Sequence, residues 1–179
     1  MLTRLEKSIA ERENELKKET YYKMLGYVRE RKWLLGFVTK GGRLLSLVSY
    51  VFYPVLLVCV FAAGYPDAWK AAAVPGAGFV LLSIVRAKIN APRPYETFEA
   101  VPVIEKDTKG KSFPSRHVFS AFIIAFTAAW YYPGAGFVLA VCGTALAATR
   151  VLGGVHFIRD VAAGAAAGIG LGMAGFMLL

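Results

Sequence analysis

The sequence predicts an all-α integral membrane bundle of about five transmembrane helices, preceded by a basic amphipathic helix on the membrane surface. Composition is the first reason, because 56% of the 179 residues are hydrophobic and the mean hydropathy is +0.49. A soluble domain is only about 45–50% apolar. The second reason is that the apolar residues form long uncharged blocks. The third is that most charged residues are crowded into the first 43 positions and two later segments.

The uncharged blocks have the length that membrane helices need. They cover 44–64, 71–85, 118–149 and 161–179, and the third is long enough for two passes with a break at 131–134. Crossing the roughly 30 Å hydrocarbon layer takes about 17–25 helical residues. We therefore expect spans over 43–64, 67–87, 115–132, 134–152 and 157–179. A soluble protein with buried core helices is the alternative that these blocks argue against.

The first 42 residues are predicted to form a membrane-surface region. Eleven of the 21 Lys and Arg residues lie in residues 1–43, beside the first span. A sparse apolar stripe runs among these charges, formed by Leu2, Leu5, Ile9 and Leu16. Basic amphipathic helices of this kind bind anionic membranes, so the chain divides into this region, 1–42, and a transmembrane domain, 43–179. A solvated or partner-binding helix is the alternative. The net charge of +9 does not indicate a nucleic-acid partner, because the basic residues are concentrated beside a membrane span.

The distribution of basic residues also predicts the orientation of the spans. Loops rich in Lys and Arg stay in the cytoplasm, which places 1–42, 88–114 and 153–156 inside and leaves only Lys70 outside. The two later polar segments therefore share one face. We expect an integral protein of a bacterial plasma membrane with its functional face in the cytoplasm.

In the last span small residues recur at four-residue spacing and allow close helix packing, namely Gly164, Gly168 and Gly172.

The first polar segment is RAKINAPRP, residues 86–94. Arg86, Lys88 and Arg93 are cations at the end of the second span, and the two prolines stop the helix. A phosphate group would find its counter-charges here. Taken alone, the segment is equally explained as a membrane anchor whose cations reach the interface.

The second polar segment is SFPSRHVFSAF, residues 112–122. Ser115 stands where a helix N-cap is expected, and the free N–H groups of the first turn make a site for an anion. Arg116 adds a guanidinium that suits a tetrahedral oxyanion, and His117 lies in the same turn. An ordinary capped helix with interfacial Arg and His is the alternative.

The third polar segment is TRVLGGVHFIRD, residues 149–160. Arg150 ends the fourth span and His156 opens the fifth, with Asp160 four residues later on the same helical face. A carboxylate that holds one ring nitrogen raises the basicity of the other, which is what a nucleophilic His requires. A purely structural His–Asp pair is the alternative.

Together the three segments predict a phosphate site at one membrane face. The arginines and the helix N-terminus balance the charge, one His attacks, and the other protonates the leaving oxygen. Two His and one Asp could form a metal triad, but the surrounding cations would repel a metal. We therefore expect no metal and no cofactor.

These residues resemble the type-2 phosphatidic acid phosphatase superfamily, which also includes vanadium-dependent haloperoxidases. The family pattern is K-x6-RP, then PSGH, then SR-x5-H-x3-D. The matching positions are Arg86, Arg93-Pro94, Pro114-Ser115-Arg116-His117, and Thr149-Arg150 with His156 and Asp160. The resemblance runs from about residue 86 to 164 in the correct order and spacing. Arg86 replaces the family's Lys, Thr149 replaces Ser, and Arg116 replaces Gly.

The resemblance implies a role for each matching residue. His156 would be the nucleophile that forms a phosphohistidine, oriented by Asp160, and His117 would be the general acid. The phosphate-binding residues would be Arg86, Arg93, Ser115 and Arg150, with Lys88 as an alternative to Arg86. We assign Arg116 to the same group, in contact with a second phosphate or a lipid headgroup.

The resemblance further implies a membrane phosphatase acting on a lipid phosphate or diphosphate without a metal. Candidate substrates are phosphatidic acid, phosphatidylglycerophosphate and polyprenyl phosphates or diphosphates. Membrane members of the family commonly have six spans, with the site near an outer face. The five spans counted here leave one missing before the polar segments, so those segments would lie on the opposite, cytoplasmic face. Phosphotransfer to another acceptor and a non-catalytic lipid-binding or assembly module are the alternatives. A haloperoxidase is disfavoured because those enzymes are soluble.

Overall fold

A computed structural model describes residues 4–179, except for the side chains of residues 4, 5 and 10, and these residues contain helices but no strand. The N-terminal part has α1 (Arg4–Glu30), α2 (Lys32–Gly36), a π-helical stretch (Phe37–Gly41) and α3 (Gly42–Ala62). The remainder has α4 (Lys70–Ile89), α5 (Pro94–Thr97), α6 (Arg116–Tyr131), α7 (Pro133–Leu152) and α8 (Ile158–Leu178). The predicted all-α class is confirmed.

Four helical stretches within the described residues are long and apolar enough to cross a membrane. They are Lys32–Ala62, Lys70–Thr97, Pro133–Leu152 and Ile158–Leu178. The first begins well before residue 43, because α2 and the π-helical stretch continue directly into α3. The third predicted span, 115–132, is α6, which has only 16 residues and is about 24 Å long at 1.5 Å per residue.

The short helix α6 is the centre of the bundle. It packs against α3, α4, α7 and α8, and its side chains Phe119, Ile123 and Ala128 are fully buried. Large apolar side chains point outward from the surrounding helices, among them Val58 and Phe137. A bilayer favours this arrangement, because lipid tails solvate the outer faces while the backbone groups are satisfied inside each helix.

The glycines of α8 let it approach α6 closely. A Cβ atom on Gly164 would lie 2.6 Å from the carbonyl oxygen of Ser115, and one on Gly168 would lie 2.7 Å from that of Phe119. Both contacts are with backbone, which cannot move aside as a flexible side chain would. The predicted packing role of this small-residue stripe is therefore confirmed, and it brings the starts of α6 and α8 together.

We expect Gly164→Ala to destabilise the protein by about 1–3 kcal/mol, as overpacking of a tight contact does. The added methyl group must push α8 away from the first turn of α6. Thermal unfolding of the purified protein in detergent measures the loss. Gly170→Ala is the matched control, because nothing lies within 4 Å of a Cβ there. Equal melting temperatures for the two variants would contradict the close packing of these helices.

The two later polar segments lie at the same end of the bundle, as predicted. The Ser112 hydroxyl, in the loop before α6, donates to Asp160 of α8 over 2.5 Å. A guanidinium N–H of Arg93, which follows α4, donates to the carbonyl of Val155 over 3.2 Å. Three long chain segments are thus joined at one face.

The C-terminal half of α1 packs against this same face. The Tyr21 hydroxyl donates to the carbonyl of Gly154 over 2.8 Å, and Tyr21 and Leu25 pack against Phe98. In the predicted apolar stripe, Ile9 and Leu16 are exposed, whereas Leu2 and the side chain of Leu5 lie outside the described residues. The helix is therefore attached to the turn between α7 and α8.

Candidate active site

His156 and Asp160 are neighbours, but not through the shared helical face that their spacing predicts. His156 lies in the turn before α8, two residues ahead of its first residue Ile158, so the pair does not share a helical face. Asp160 Oδ2 accepts the N–H of Phe157 over 3.1 Å and lies 3.4 Å from His156 Nδ1. The carboxylate thus caps the start of α8 and faces the imidazole from within the first turn.

Ser112 is a member of this group that the sequence did not reveal. It is fully buried, and its hydroxyl donates to Asp160 Oδ2 over 2.5 Å while its oxygen lies 3.4 Å from His156 Nδ1. The contact joins residues 48 positions apart. A serine in a polar loop carries no local signal of such a partner, so only the folded chain could identify it.

Burial lowers the pKa of His156 below its ordinary value of 6.5, and the hydrogen bond with Asp160 opposes this effect without overcoming it. The positive charges of Arg93 and Arg86 lower the pKa further. The imidazole is therefore neutral at neutral pH. A proton on Nδ1, directed at Asp160, leaves the lone pair of Nε2 free.

The two arginines of the first polar segment hold the surrounding backbone in place. Arg93 donates to the carbonyls of Gly110, over 3.1 Å, and Val155. The guanidinium of Arg86 donates to the loop carbonyls of Lys111, Ser112 and Pro114. An arginine has five N–H donors, so both side chains position the loop while adding positive charge. Lys88 is exposed on the outside of α4.

Buried polar atoms without a hydrogen-bond partner occur at two predicted phosphate-binding residues. Within residues 4–179, Ser115 Oγ and Arg150 Nε make no hydrogen bond. Ser115 occupies the N-cap position of α6, as predicted, but its hydroxyl does not cap the helix. Another N–H of Arg150 donates to Ser46 Oγ over 2.7 Å. Buried polar groups are almost always satisfied, and a bound oxyanion would satisfy the N–H of Arg150 and the hydroxyl of Ser115.

His117 and Arg116 begin α6 and face different surroundings. His117 is half-buried, and the positive charges of Arg150 and Lys106 act on it. Arg116 is exposed, with its guanidinium carbon 5.5 Å above the ring of Phe79 on α4. The structure thus brings His117 among the site cations, whereas the Arg116 side chain lies along the outer face of α4.

Lys106 is a further cation of this cluster that the sequence did not single out. It lies in the loop between α5 and α6. The N–H groups of Val103 and Ile104 in this loop donate to the carbonyl of Gly153 and hold the loop against the turn between α7 and α8. Burial lowers the pKa of Lys106, and the charges of the nearby arginines lower it further; these are Arg93, Arg150, Arg116 and Arg86. An anion bound among Lys106, Arg86, Arg93 and Arg150 would relieve their mutual repulsion.

The same residues contain no obvious metal site. No group of three or more His, Cys, Asp and Glu side chains that could hold a metal ion occurs in the described part of the chain. The positive charge at this face comes from guanidinium and ammonium groups and from the N-terminus of α6. Such a site suits an anion with several oxygens, because each cation can donate to a different oxygen.

Comparison with known proteins decides the family. The model of the PAP2 superfamily matches residues 67–178, which run from the turn before α4 to the end of α8. The chain belongs to the PAP2 superfamily. The match contains every predicted site residue and leaves α1 to α3 outside. No curated protein sequence matches the chain significantly.

Solved structures show that the chain has the fold of membrane PAP2 proteins. The crystal structure of Aquifex aeolicus LpxE superposes with a TM-score of 0.69 at 23% identity, covering 88% of this chain and 93% of that one. The first transmembrane PAP2 type phosphatidylglycerolphosphate phosphatase from Bacillus subtilis superposes with a TM-score of 0.66 at 22% identity, covering 92% of this chain and 85% of that one. Both coverages include α1 to α3 in large part.

The structure shows the contacts of the three residues that differ from the PAP2 pattern. Arg86, in place of Lys, uses its extra donors on loop carbonyls that a lysine could not hold together. Thr149, in place of Ser, is buried, donates to the carbonyl of Leu146 over 2.7 Å and packs against Gly42 of α3. Arg116, in place of Gly, extends outward over Phe79. None of the three side chains obstructs the pairing of His156 with Asp160.

Proposed function

We propose that this PAP2 protein is a membrane phosphatase that hydrolyses a lipid phosphate or diphosphate through a phosphohistidine on His156, without a metal. One observation carries the proposal. A buried neutral imidazole, oriented by a buried carboxylate, lies among four cations at the end of membrane-spanning helices, namely Arg86, Arg93, Lys106 and Arg150. Phosphate binding alone would need the cations but not the His156–Asp160 pair, which argues against a non-catalytic lipid-binding module.

In the first step, the lone pair of His156 Nε2 attacks the phosphorus atom. A P–N bond forms as the P–O bond to the leaving group breaks. The negative charge of the bound phosphate stabilises the imidazolium form of His117, which gives its proton to the leaving oxygen and becomes neutral. Asp160 stabilises the positive charge that develops on the imidazole of His156. The arginines, Lys106 and the α6 N-terminus bind the equatorial oxygens.

In the second step, water replaces His156 at phosphorus. Neutral His117 takes a proton from the attacking water, the P–N bond breaks, and His156 regains its lone pair as inorganic phosphate leaves. The same histidine thus serves as acid and then as base. If an alcohol replaced water, the products would be those of a phosphotransferase, so product analysis with a candidate acceptor distinguishes the two reactions.

The position of the site supports a lipid substrate. Its residues begin or end membrane-spanning helices, so a lipid can present its phosphate here while its chains remain in apolar surroundings. One of the two similar structures is a phosphatidylglycerolphosphate phosphatase by its name. Phosphatidylglycerophosphate is therefore one candidate, with phosphatidic acid and polyprenyl phosphates or diphosphates as the others.

A panel of these lipid phosphates, assayed side by side with the purified protein in detergent and excess chelator, tests the proposed function. We expect release of inorganic phosphate from at least one of them at a rate that the chelator does not change. Absence of release from the whole panel would contradict the phosphatase proposal. Loss of activity on chelation, restored by a divalent metal, would contradict the metal-independent mechanism.

Lys106 is expected to contribute to binding of the phosphate. A hydrogen bond to a charged group contributes about 1.5–3 kcal/mol, so Lys106→Gln should lower kcat/KM about ten- to hundredfold. Steady-state phosphate release measures the change. Lys109→Gln is the matched control, because Lys109 is exposed in the same loop. Equal activity of both variants would remove Lys106 from the site.

We further propose that the site faces the cytoplasm and that α1, which forms most of the predicted surface region 1–42, lies along the inner membrane surface. Both follow from the positive-inside distribution of the cations. Thr108 is exposed in the loop that covers the site, so Thr108→Cys, in a background of Cys59→Ala and Cys142→Ala, reports sidedness. A membrane-impermeant maleimide should label it only after the cells are opened. Labelling of intact cells would contradict the cytoplasmic orientation.

A further inference from the structure

An apolar cavity of about 480 Å³ lies beside His156. Its wall comes from α1, from the segment around α5 and from the start of α8, and is formed mainly by Tyr21, Met24, Phe98, Phe157 and Ile158. His156 itself also lines the cavity. Its volume falls in the roughly 300–1,000 Å³ range of ligand sites, and neither the phosphate chemistry nor the PAP2 pattern accounts for its apolar wall.

The cavity lies beside the start of a helix that can span the membrane. Ile158, the first residue of α8, is 72% exposed, and α8 is one of the helices that can span the membrane. The opposite wall is α1, which is fixed in place by the bond from Tyr21 to Gly154. An apolar path therefore leads from the lipid-facing start of α8 to the imidazole of His156.

The charges at the cavity suit an anionic occupant. Lys17 of α1 and Arg159 of α8 both line it, and the Arg159 guanidinium lies 5.0 Å above the ring of Phe157. No acidic residue is among the residues that line the cavity. An occupant with an apolar body and an anionic end fits this combination, whereas a wholly polar ligand would leave the apolar wall unsatisfied.

We propose that this cavity holds a hydrocarbon chain of the lipid phosphate, and that α1 is therefore part of the substrate site. This rests on the proposed phosphatase function. The phosphate at His156 fixes the head end of the lipid, and the chain then lies between α1 and α8. Because the site cations contact only the phosphate, discrimination between lipids with the same headgroup falls to this cavity.

Met24→Trp tests the proposal by filling the cavity from the α1 side, away from the residues proposed for catalysis. We expect KM for a long-chain phosphatidic acid to rise at least about tenfold, since small changes of fit in apolar pockets alter selectivity about 10–200-fold. The KM of a water-soluble short-chain phosphatidic acid should stay within about twofold, because that substrate has little chain to place there. Leu47→Trp is the matched control, in an apolar concavity on α3.

Photolabelling provides a readout that does not depend on turnover. The full-length protein is reconstituted in phosphatidylcholine vesicles with phosphatidic acid that carries a diazirine at the end of one chain, and labelled peptides are identified by mass spectrometry. We expect label on Leu16, Met24 or Phe98, and its loss in Met24→Trp. A phosphatidylcholine with the same diazirine should not label these residues.

Three results would overturn the proposal. They are an unchanged KM for the long-chain substrate in Met24→Trp, an equal rise in KM for both chain lengths, and equal labelling by the phosphatidylcholine probe, which would indicate bulk lipid. Selective labelling by the phosphatidic acid probe without phosphate release from any lipid would instead contradict the phosphatase function and leave the cavity as a site for the chain of a lipid phosphate.

Discussion

Replacing His156 with alanine is expected to lower kcat/KM for hydrolysis of the lipid phosphate at least about 10⁴-fold, as loss of a nucleophile does in other enzymes that use covalent catalysis. The cations and the α6 N-terminus remain, so the variant should still bind the lipid. Steady-state phosphate release gives the rate, and thermal unfolding in detergent shows whether the buried site has kept its fold.

His117→Ala is the matched variant for this test. It removes the proposed acid and leaves the nucleophile, so it should lower kcat about 10²–10⁴-fold for a lipid phosphate. The loss should be smaller for a nitrophenyl phosphate, whose leaving group needs no proton. A folded His156→Ala variant with wild-type turnover would contradict the assignment of the nucleophile. Equal losses for both substrates in His117→Ala would contradict the assignment of the acid.

Asp160→Asn is expected to lower kcat about 10³–10⁴-fold, since an amide in place of the carboxylate that orients a catalytic histidine stabilises the wrong tautomer. The carboxylate accepts hydrogen bonds from Ser112 and Phe157 and faces His156 Nδ1. Asparagine can still accept some of these bonds, so its effect on stability should be smaller than that on rate. Comparing kcat with the melting temperature separates the two effects.

The pH profile distinguishes this positioning role from a structural one. Activity requires neutral His156, so it falls as the pH drops through the pKa of His156, which burial places below 6.5. The Asp160 carboxylate raises this pKa, so its removal should move the acid limb of kcat/KM to lower pH. Ser112→Ala keeps the carboxylate and should leave the limb in place while lowering kcat about tenfold, the effect of one lost hydrogen bond of roughly 1.4 kcal/mol. An unmoved limb in Asp160→Asn would contradict the coupling.

The sequence was sufficient for the parts of the molecule that depend on local composition. Uncharged blocks predicted the spanning helices, the break at 131–134 is where α6 ends and α7 begins, and the glycine spacing predicted the close packing of α8. The helix that contains the first predicted span, 43–64, begins earlier, at Lys32, because the polar residues between Lys32 and Arg43 continue the helix beyond the apolar block. The central position of α6 depends on how the other helices pack around it, so its own sequence does not predict it.

The candidate site could also be predicted from the sequence only in part. Spacing predicted that His156 and Asp160 would be neighbours, although the contact arises from a turn and a helix cap and not from a shared helical face. The inclusion of Ser112 and Lys106 depends on how the loop between α5 and α6 folds back over the site. The use of Arg86 as a support for that loop depends on carbonyl groups whose direction no sequence pattern encodes.

Trapping the covalent intermediate shows whether His156 carries the phosphate during turnover. The protein is mixed with a lipid phosphate carrying radiolabelled phosphate, quenched in alkali within the first turnover, and digested for mass spectrometry. We expect phosphate on His156 that is stable in alkali, released by acid and absent from His156→Ala. Turnover without label on His156, or label on another residue with the same kinetics, would contradict this expectation.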